Sequence, residues 1–375
     1  MIKNFLGNKR RFNIRIFAGF LGILFVLIWL LGVELYLRRT QTRILPYSNK
    51  NIYLASSPNF LIDFTPNGRR LLPDIHAIIL HHNVSGQNID FRTNRFRCRG
   101  PELKSPKPLN TQRILFLGDS ITMADTVQEE ETFITLIQKN IGQIFKTENI
   151  ELLNAGVGDT GTKEQLDILE ETGLSAEPDI VVLDYYLNDT RPPQGFSQER
   201  GRSGWLRRHS LLTDKLYNLF VFRGWLKEQG QDRWLWGNKM SQYSWDTDPS
   251  VFKRFAKEAQ FDWGAAWEPE ALEIADGNFK RLSLLSRKYH FKVLVVNFPV
   301  MFQVYSHFVN DEPQQMIKQL SEKYGFKFLD LLPTLRLNNN KRLFFDWCHP
   351  LVPTHSIIAE TLSPILEDMI KENRT

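Results

Sequence analysis

Two patterns of hydrophobic positions divide the 375-residue chain. Residues 16–33 form an uncharged run, IFAGFLGILFVLIWLLGV, which is long enough to cross a membrane as a helix. From residue 111 onward, short apolar runs alternate with stretches in which apolar residues recur every three or four positions. The first pattern predicts a transmembrane anchor, and the second predicts strands that alternate with helices.

The alternating pattern predicts an α/β fold, in which helices cover both faces of a parallel sheet, because parallel strands need crossover connections. We expect strands at residues 114–117, 150–154, 179–184, 292–298 and 326–329, and helices at residues 130–145, 162–171, 278–289, 313–324 and 353–370. Between residues 34 and 110 the chain predicts a linker and a small β accessory region. Its extended stretches are expected at residues 51–55, 60–64, 77–81 and 89–92.

A tryptophan-rich insert at residues 190–275 interrupts this regular pattern. It carries seven of the nine tryptophans, namely Trp205, Trp225, Trp234, Trp236, Trp245, Trp263 and Trp267. These side chains could shape a substrate cleft, or they could form the small core of a helical subdomain. Since tryptophan buries a large area in either case, we favour the helical subdomain.

The charge is concentrated at the N-terminus. Residues 1–15 carry five basic side chains and no acid, which equals the whole net charge of +5, so residues 16–375 sum to zero. The charge therefore gives no indication of nucleic-acid binding, which would need a basic face on the folded domain. The basic flank predicts that residues 1–15 are cytoplasmic and that the main domain lies outside, although Arg38, Arg39 and Arg43 also follow the span. A cleaved signal peptide is the alternative, but its apolar region would be shorter and small residues would follow it.

Cysteine and histidine positions indicate neither a disulfide scaffold nor a metal site. Cys98 and Cys348 lack metal-ligand spacing, and they could be two free thiols or one disulfide bridge. The histidines, including the His81-His82 pair, have no companion ligands at metal spacing. We therefore expect no metal and no organic cofactor.

Polar residues follow the predicted strands at four places. They are Gly118-Asp119-Ser120, Asn154-Ala-Gly-Val-Gly-Asp-Thr160, Leu187-Asn188-Asp189 and Asp346-Trp-Cys-His349. The carboxyl ends of parallel strands meet at one edge of a sheet, so these segments should converge. A serine, backbone amides, an asparagine and an Asp/His pair are the groups that acyl transfer requires.

These four segments resemble blocks I, II, III and V of the SGNH (GDSL-type) hydrolase family, in their order and in their strand–loop context, over about residues 112–370. The anchor and the short β region are similar to those of membrane-attached bacterial members. The resemblance implies a flavodoxin-like, three-layer, doubly wound parallel sheet in residues 111–375. It also implies Ser120 as the nucleophile, His349 as the general base and Asp346 as the residue that orients His349.

The resemblance further implies an oxyanion hole made of the Ser120 amide, an amide of block II and the Asn188 side chain. The block II segment can be aligned so that this amide belongs to Gly158 or to Asp159. We favour Gly158, because a residue without Cβ lets the backbone approach the oxyanion closely. Block III reads Leu-Asn-Asp where the family commonly has Gly-Asn-Asp, which leaves Asn188 in place.

Each of these residues also has a structural interpretation. Ser120 could cap the following helix, Asn188 could close a turn, and His349 could be a surface histidine before Pro350. Asp119 and Asp189 are expected to be structural, and His355 is expected to orient the last helix. Taken together, the four segments favour function over these separate explanations.

The sequence thus predicts a single-pass membrane protein whose outer domain is a serine esterase. Its partner would be an ester-bearing substrate, either an O-acylated envelope glycan or a lipid. An O-acyltransferase using the same residues is one alternative, in which a sugar hydroxyl replaces water as the acceptor. A non-catalytic envelope-assembly protein that retains the fold is the other.

Overall fold

The computed structural model describes residues 2–40, 44–47, 52–55, 57–65, 67–145, 149–190, 210–217, 219–220, 236–237 and 240–373. The chain divides into two compact units. One contains residues 1–42 and 202–225, and the other contains residues 43–201 and 226–375.

The first unit is dominated by one long helix, Ile2–Thr40. Its segment Phe17–Arg39 has 23 residues and a mean hydropathy of 2.4, and none of its most apolar part is buried. Membrane spans and signal sequences share this length and composition. The helix begins earlier and ends later than the predicted run of residues 16–33. The lysines and arginines of the flank favour helix, and Glu34 pairs with Arg38 one turn later at 2.7 Å, which supports the last turns.

Glu34 also organises a second, short helix of this unit, Leu211–Tyr217. Its carboxylate accepts hydrogen bonds from the backbone N–H groups of Leu211 and Leu212 at 3.1 and 2.9 Å, and from Ser210 Oγ at 3.0 Å. The first N–H groups of a helix have no partners within the helix, so a carboxylate there stabilises its start.

The strands of the second unit form three sheets. The strands are β1 (Ile44–Tyr47), β2 (Ile52–Ala55), β3 (Ile62–Thr65), β4 (Gly68–Leu71), β5 (His76–Ile79), β6 (Ile89–Arg92), β7 (Thr111–Leu117), β8 (Asn149–Asn154), β9 (Ile180–Tyr186), β10 (Lys292–Phe298) and β11 (Lys327–Asp330). The accessory region contains the sheet β1-β2-β5-β6 and the antiparallel pair β3-β4. The large sheet has the order β11-β10-β9-β7-β8, and every pairing in it is parallel.

This arrangement confirms the predicted parallel sheet with helices. Numbered along the chain, the five strands lie in the order 2-1-3-4-5, which is one of the two common orders of doubly wound sheets. The sequence did not predict β1 or β4. Residues 58–61, at the start of the expected strand 60–64, form a short 3-10 helix instead.

Helices cover both faces of the large sheet. They are Ser120–Met123, Phe133–Ile144, Thr162–Glu171, Pro249–Glu258, Ala271–Tyr289, Met301–Tyr305, Glu312–Tyr324, Leu332–Leu337 and Val352–Glu372, with short 3-10 turns at Glu129–Glu131, Gly173–Ala176, Met240–Gln242 and Trp263–Trp267. Alternate residues of β7 show the two faces. Ile114 and Phe116 pack with Phe133–Ile144 and Val352–Glu372, whereas Leu115 and Leu117 pack with Thr162–Glu171, Ala271–Tyr289 and Glu312–Tyr324.

The insert does not keep a hydrophobic core of its own in the part that the structure describes. Trp236 and Trp263 are buried edge to face, 5.8 Å apart, in the cluster that also contains Ile114 and Phe116 of the sheet. The expectation of a separate helical core is therefore wrong for these residues, because their side chains belong to the core that covers one face of the sheet. Trp205, Trp225 and Trp234 lie outside the described residues.

The accessory region is attached to the large sheet through a shared core and a buried arginine. Ile79 and Phe91 pack in one cluster with Leu115 and Leu117 of β7. Arg99 is 4% exposed, and its guanidinium donates to the carbonyl oxygens of Met123 at 3.0 Å, Ala124 at 2.5 Å and Val127 at 2.9 Å. These carbonyls lie at and beyond the end of the helix Ser120–Met123, where a cation is favourable.

The close packing of the loop after β8 on the helix Ser120–Met123 can be tested at Gly156. A Cβ at Gly156 would lie 2.3 Å from the backbone nitrogen of Met123. We expect Gly156→Ala to lower the free energy of unfolding by about 1–3 kcal/mol, because backbone atoms must move to admit the methyl group. Urea titration followed by tryptophan fluorescence measures this change.

The matched control is Gly142→Ala, at a helical position where a Cβ meets nothing within 4 Å. That substitution should leave the stability unchanged or raise it, because alanine favours helix over glycine. Equal midpoints for both variants would contradict the tight packing at Gly156.

Candidate active site

Ser120 stands at the carboxyl end of β7, on the turn into a one-turn helix. Asp119 is the N-cap of this helix, and its side chain accepts the Ile121 N–H at 2.8 Å. Ser120 is the first helical residue, and its hydroxyl points elsewhere. Capping is therefore done by Asp119, and the structural alternative for Ser120 does not hold.

Asp346 organises the loop that carries His349. One of its carboxylate oxygens accepts the backbone N–H groups of Cys348 and His349, both at 2.9 Å. The loop is closed further by the Phe345 N–H, which donates to the His349 carbonyl at 2.8 Å. Such a side-chain-to-backbone turn fixes the position of the carboxylate before it contacts the imidazole.

The structure brings Ser120, His349 and Asp346 into one hydrogen-bonded chain. His349 Nε2 lies 2.9 Å from Ser120 Oγ, and His349 Nδ1 lies 2.6 Å from the second oxygen of Asp346. In the neutral imidazole, which is the form that can take the serine proton, Nδ1 carries the hydrogen because the carboxylate can only accept, and Nε2 is left to accept the hydroxyl hydrogen. Residues 229 positions apart in the sequence thus meet in the geometry that serine activation needs.

Electrostatics favour the imidazolium form of His349. Burial alone would lower the pKa of His349, but the hydrogen bond and the charge of Asp346 outweigh it and raise this pKa to about 9. Burial acts against the Asp346 carboxylate, yet the hydrogen bonds from His349 and from the loop amides bring the pKa of Asp346 below its usual value. The pair is therefore built to stabilise a positive charge on the imidazole.

The loop after β8 is tied to the segment that carries Ser120. Asn154 accepts the Gly156 N–H at 3.0 Å and donates to the Thr122 carbonyl at 2.7 Å. The Val157 N–H donates to the Gly118 carbonyl at 3.0 Å. These bonds hold the loop against the helix Ser120–Met123 and bring Gly158 beside Ser120.

Both candidates for the block II amide lie in this loop. The Gly158 N–H donates to Met123 Sδ at 3.2 Å, and the Gly158 carbonyl accepts from Arg69 at 3.1 Å. A Cβ at Gly158 would lie 3.7 Å from Ser120 Cβ, an ordinary contact, so packing does not require glycine there. Asp159 has a φ of 63° and pairs with Arg69 at 3.1 Å.

Asn188 follows β9 and lines the same cavity as Ser120 and Gly158, with an exposed fraction of 8%. The next residue, Asp189, accepts from Thr162 Oγ1 at 3.0 Å and from Gln165 Nε2 at 3.1 Å. Burial raises the pKa of Asp189 well above its usual range. Asp189 therefore ties the loop after β9 to the start of the helix Thr162–Glu171.

Cys98 and Cys348 are both free, buried thiols. Cys348 Sγ lies 3.5 Å from His349 Nδ1, and the donor atoms of Asp346, Cys348 and His349 fall within 4.8 Å of one another, close enough to meet at one metal ion. In the structure, Asp346 and His349 are hydrogen-bonded to each other. The sequence spacing had not pointed to this grouping.

His355 lies outside this arrangement, at the start of the last helix. It is fully buried, and its Nδ1 accepts the Phe133 N–H at 3.2 Å. Burial lowers the pKa of His355 to about 3, so the ring is neutral. It joins the last helix to the helix Phe133–Ile144.

A cavity of about 230 Å³ opens over Ser120 and His349. Besides the residues discussed above, its walls include side chains to which the sequence assigned no role in catalysis, from the accessory region, the loop after Met123 and the insert: Arg69, His82, Asp125 and Asp262. None of them belongs to one of the four segments that the sequence pointed to. Only the fold brings them to the cavity.

No protein-family model matches this chain, and no curated protein was found to be related to it. Solved structures that resemble it include the acetyl xylan esterase AlAXEase, with 18% identity, a TM-score of 0.40, and coverage of 68% of this chain and 99% of that one. The acetylxylan esterase Axe2 from Geobacillus stearothermophilus has 15% identity, a TM-score of 0.41, and coverage of 68% and 93%.

A two-domain esterase active on acetylated mannans, co-crystallised with mannopentaose, has 15% identity, a TM-score of 0.42, and coverage of 69% of this chain and 49% of that one.

The Asp346–His349 pair makes a prediction about protonation. In protein labelled with ¹⁵N-histidine, the His349 ring should titrate with a midpoint of about 9, as its pKa indicates. Asp346→Asn should move the midpoint to lower pH, because the charge that favours the imidazolium is lost while burial still opposes it. NMR titration measures both midpoints.

His349→Gln assigns the resonance, since its spectrum lacks that signal alone. A midpoint that stays in place in Asp346→Asn would show that the carboxylate does not control the imidazole.

Proposed function

We propose that this chain is a membrane-anchored serine esterase of the SGNH type, in which Ser120, His349 and Asp346 hydrolyse an ester bond. The observation that carries the proposal is the continuous chain of contacts from Ser120 Oγ through His349 to Asp346, at 2.9 and 2.6 Å. The 2-1-3-4-5 strand order is that of the flavodoxin-like sheet expected of such an enzyme.

In the acylation step, Ser120 Oγ attacks the ester carbonyl carbon while His349 Nε2 takes the hydroxyl proton. The tetrahedral intermediate expels the alcohol, which receives that proton from His349, and the acyl group stays on Ser120. In the second step, water attacks the acyl-serine, His349 again takes and returns a proton, and the carboxylic acid leaves. Asp346 stabilises the imidazolium in both steps without itself taking the proton.

The oxyanion would be held by the Ser120 amide, the Gly158 amide and the Asn188 side chain. Gly158 is preferred over Asp159 because it lies beside Ser120, and because its N–H donates only to the thioether of Met123. A thioether is a weak acceptor, so a negatively charged oxygen would displace it readily. The Asn188 side chain lines the cavity from the opposite loop, after β9.

The size of the cavity favours a short acyl group. Its volume of about 230 Å³ is smaller than typical sites for drug-sized ligands. The apolar segment Phe17–Arg39 is taken as the anchor, and the five basic residues before it favour a cytoplasmic N-terminus. The substrate would then be an ester outside the cytoplasm, such as an O-acyl group of an envelope glycan.

Ser120→Ala tests the nucleophile. In the full-length protein in detergent, release of p-nitrophenol from p-nitrophenyl acetate should fall to the rate of the buffer, and labelling by a fluorophosphonate probe should disappear. The probe forms a phosphorus–oxygen bond to the serine and releases fluoride, so intact-mass analysis locates it. The control is Ser286→Ala. The Ser286 hydroxyl donates to the Phe291 carbonyl, and Ser286 belongs to none of the four segments.

If Ser120→Ala keeps full hydrolysis, the assignment fails. If the unaltered protein neither hydrolyses the ester nor reacts with the probe, the non-catalytic alternative is favoured.

Asn188→Ala tests the oxyanion hole. We expect kcat to fall by about 10²–10³, as for the removal of one oxyanion donor, with little change in KM. Steady-state kinetics measures the two constants. A rise in KM with kcat unchanged would place Asn188 in substrate binding and not in stabilisation of the oxyanion.

A further inference from the structure

His82 lines the cavity over Ser120, and one of its ring nitrogens is buried without a hydrogen-bond partner among the described residues. It lies in the connection between β5 and β6, and its side chain is almost fully buried, with 3% of the residue exposed. Its Nδ1 accepts the backbone N–H groups of Val84 at 3.2 Å and Ser85 at 3.4 Å. A nitrogen that accepts carries no hydrogen, so the hydrogen of this neutral imidazole is on Nε2.

The Nε2–H of His82 lies beside a carboxylate but does not reach it. Asp125 Oδ2 is 3.5 Å away, beyond the usual range of 2.7–3.2 Å for this kind of bond. Among the described residues, Nε2 has no hydrogen-bond partner. Buried donors without partners are rare in proteins, and this one belongs to a residue that lines the cavity, which together point to a partner supplied by a ligand.

His82 and Asp125 line the same cavity as Ser120 and His349. A donor and a carboxylate acceptor that stand side by side fit a group that can accept and donate through the same atom, and a hydroxyl is the substrate group that does so. The hydroxyl oxygen can accept from His82 Nε2–H while its hydrogen is donated to Asp125. An ether or ester oxygen could use only His82, an ammonium could use only Asp125, and a carboxylate would be repelled by Asp125.

We propose that His82 and Asp125 bind a free hydroxyl of the substrate next to the ester, so that the enzyme selects partly acylated polyols such as sugars. The inference rests on the proposed esterase function and narrows its substrate class. It also gives the accessory region a part in specificity, because that region supplies the donor and the segment after Ser120 supplies the acceptor.

The experiment compares two substrates in the full-length protein. One is a mono-O-acetyl methyl glucoside with its other hydroxyls free, and the second is the same ester with those hydroxyls O-methylated. The measured quantity is the ratio of their kcat/KM values. This ratio should favour the hydroxyl-bearing ester in the unaltered protein.

His82→Asn should lower this ratio roughly ten- to a hundredfold, which is the effect of losing one hydrogen bond linked to a charged group. Asparagine can still accept the loop amides through its side-chain oxygen, at the position of Nδ1, but it has no atom at the position of Nε2. Asp125→Asn should lower the ratio as well. The double variant should lose little more than either single one, because both residues hold the same hydroxyl.

The matched control is His81→Asn, the same substitution at the neighbouring, exposed residue, which has a φ of 46° that asparagine accepts well. It should leave the ratio unchanged. If His82→Asn lowers kcat/KM equally for both esters, the pair only holds the loop and the inference is overturned. A ratio near one in the unaltered protein overturns it too, whereas failure to hydrolyse either ester defeats the proposed function along with it.

Discussion

Parallel pairing of β7 with both of its neighbours is the constraint on which the site depends. Since β8 and β9 run in the same direction as β7, the loops after all three strands leave from one edge of the sheet. The Asp346–His349 loop reaches that edge from elsewhere in the chain, just before the last helix. A single reversed strand would carry its polar residues to the opposite edge.

The sequence predicted the parts of the fold that local pattern controls. Fully buried parallel strands are rich in apolar residues. β10 (Lys292–Phe298) has the bounds that were predicted for it from the segment KVLVVNF. β4 was missed because two of its four residues are arginines. Both arginines are buried and have polar partners. Arg69 donates to the Gly158 carbonyl and pairs with Asp159, and Arg70 forms an ion pair with Glu171 at 2.8 Å. Partners about 90 or more residues away leave no local signal.

The same distinction applies to the site. Ser120, Asn188, Asp346 and His349 stand out because each belongs to a short motif next to a strand or helix, although their roles remain proposals. His82 and Asp125 belong to no motif, and their chemistry arises only when two loops meet. The preference for Gly158 was also local, since it rested on the approach of a glycine backbone to the oxyanion. In the same loop, packing requires a glycine at Gly156, where a Cβ would lie 2.3 Å from the backbone nitrogen of Met123.

Arg99 determines how the protein can be divided. Its guanidinium donates hydrogen bonds to three carbonyl groups in the segment that follows Ser120. The backbone N–H of Arg99 donates to the carbonyl oxygen of Asn154 at 2.7 Å. A shortened chain that starts at the first strand of the large sheet would leave those oxygens buried without donors and would uncover one sheet face. The smallest fragment that keeps these contacts therefore includes the accessory region. A chimera of two related chains would have to exchange the accessory region and the large-sheet domain together.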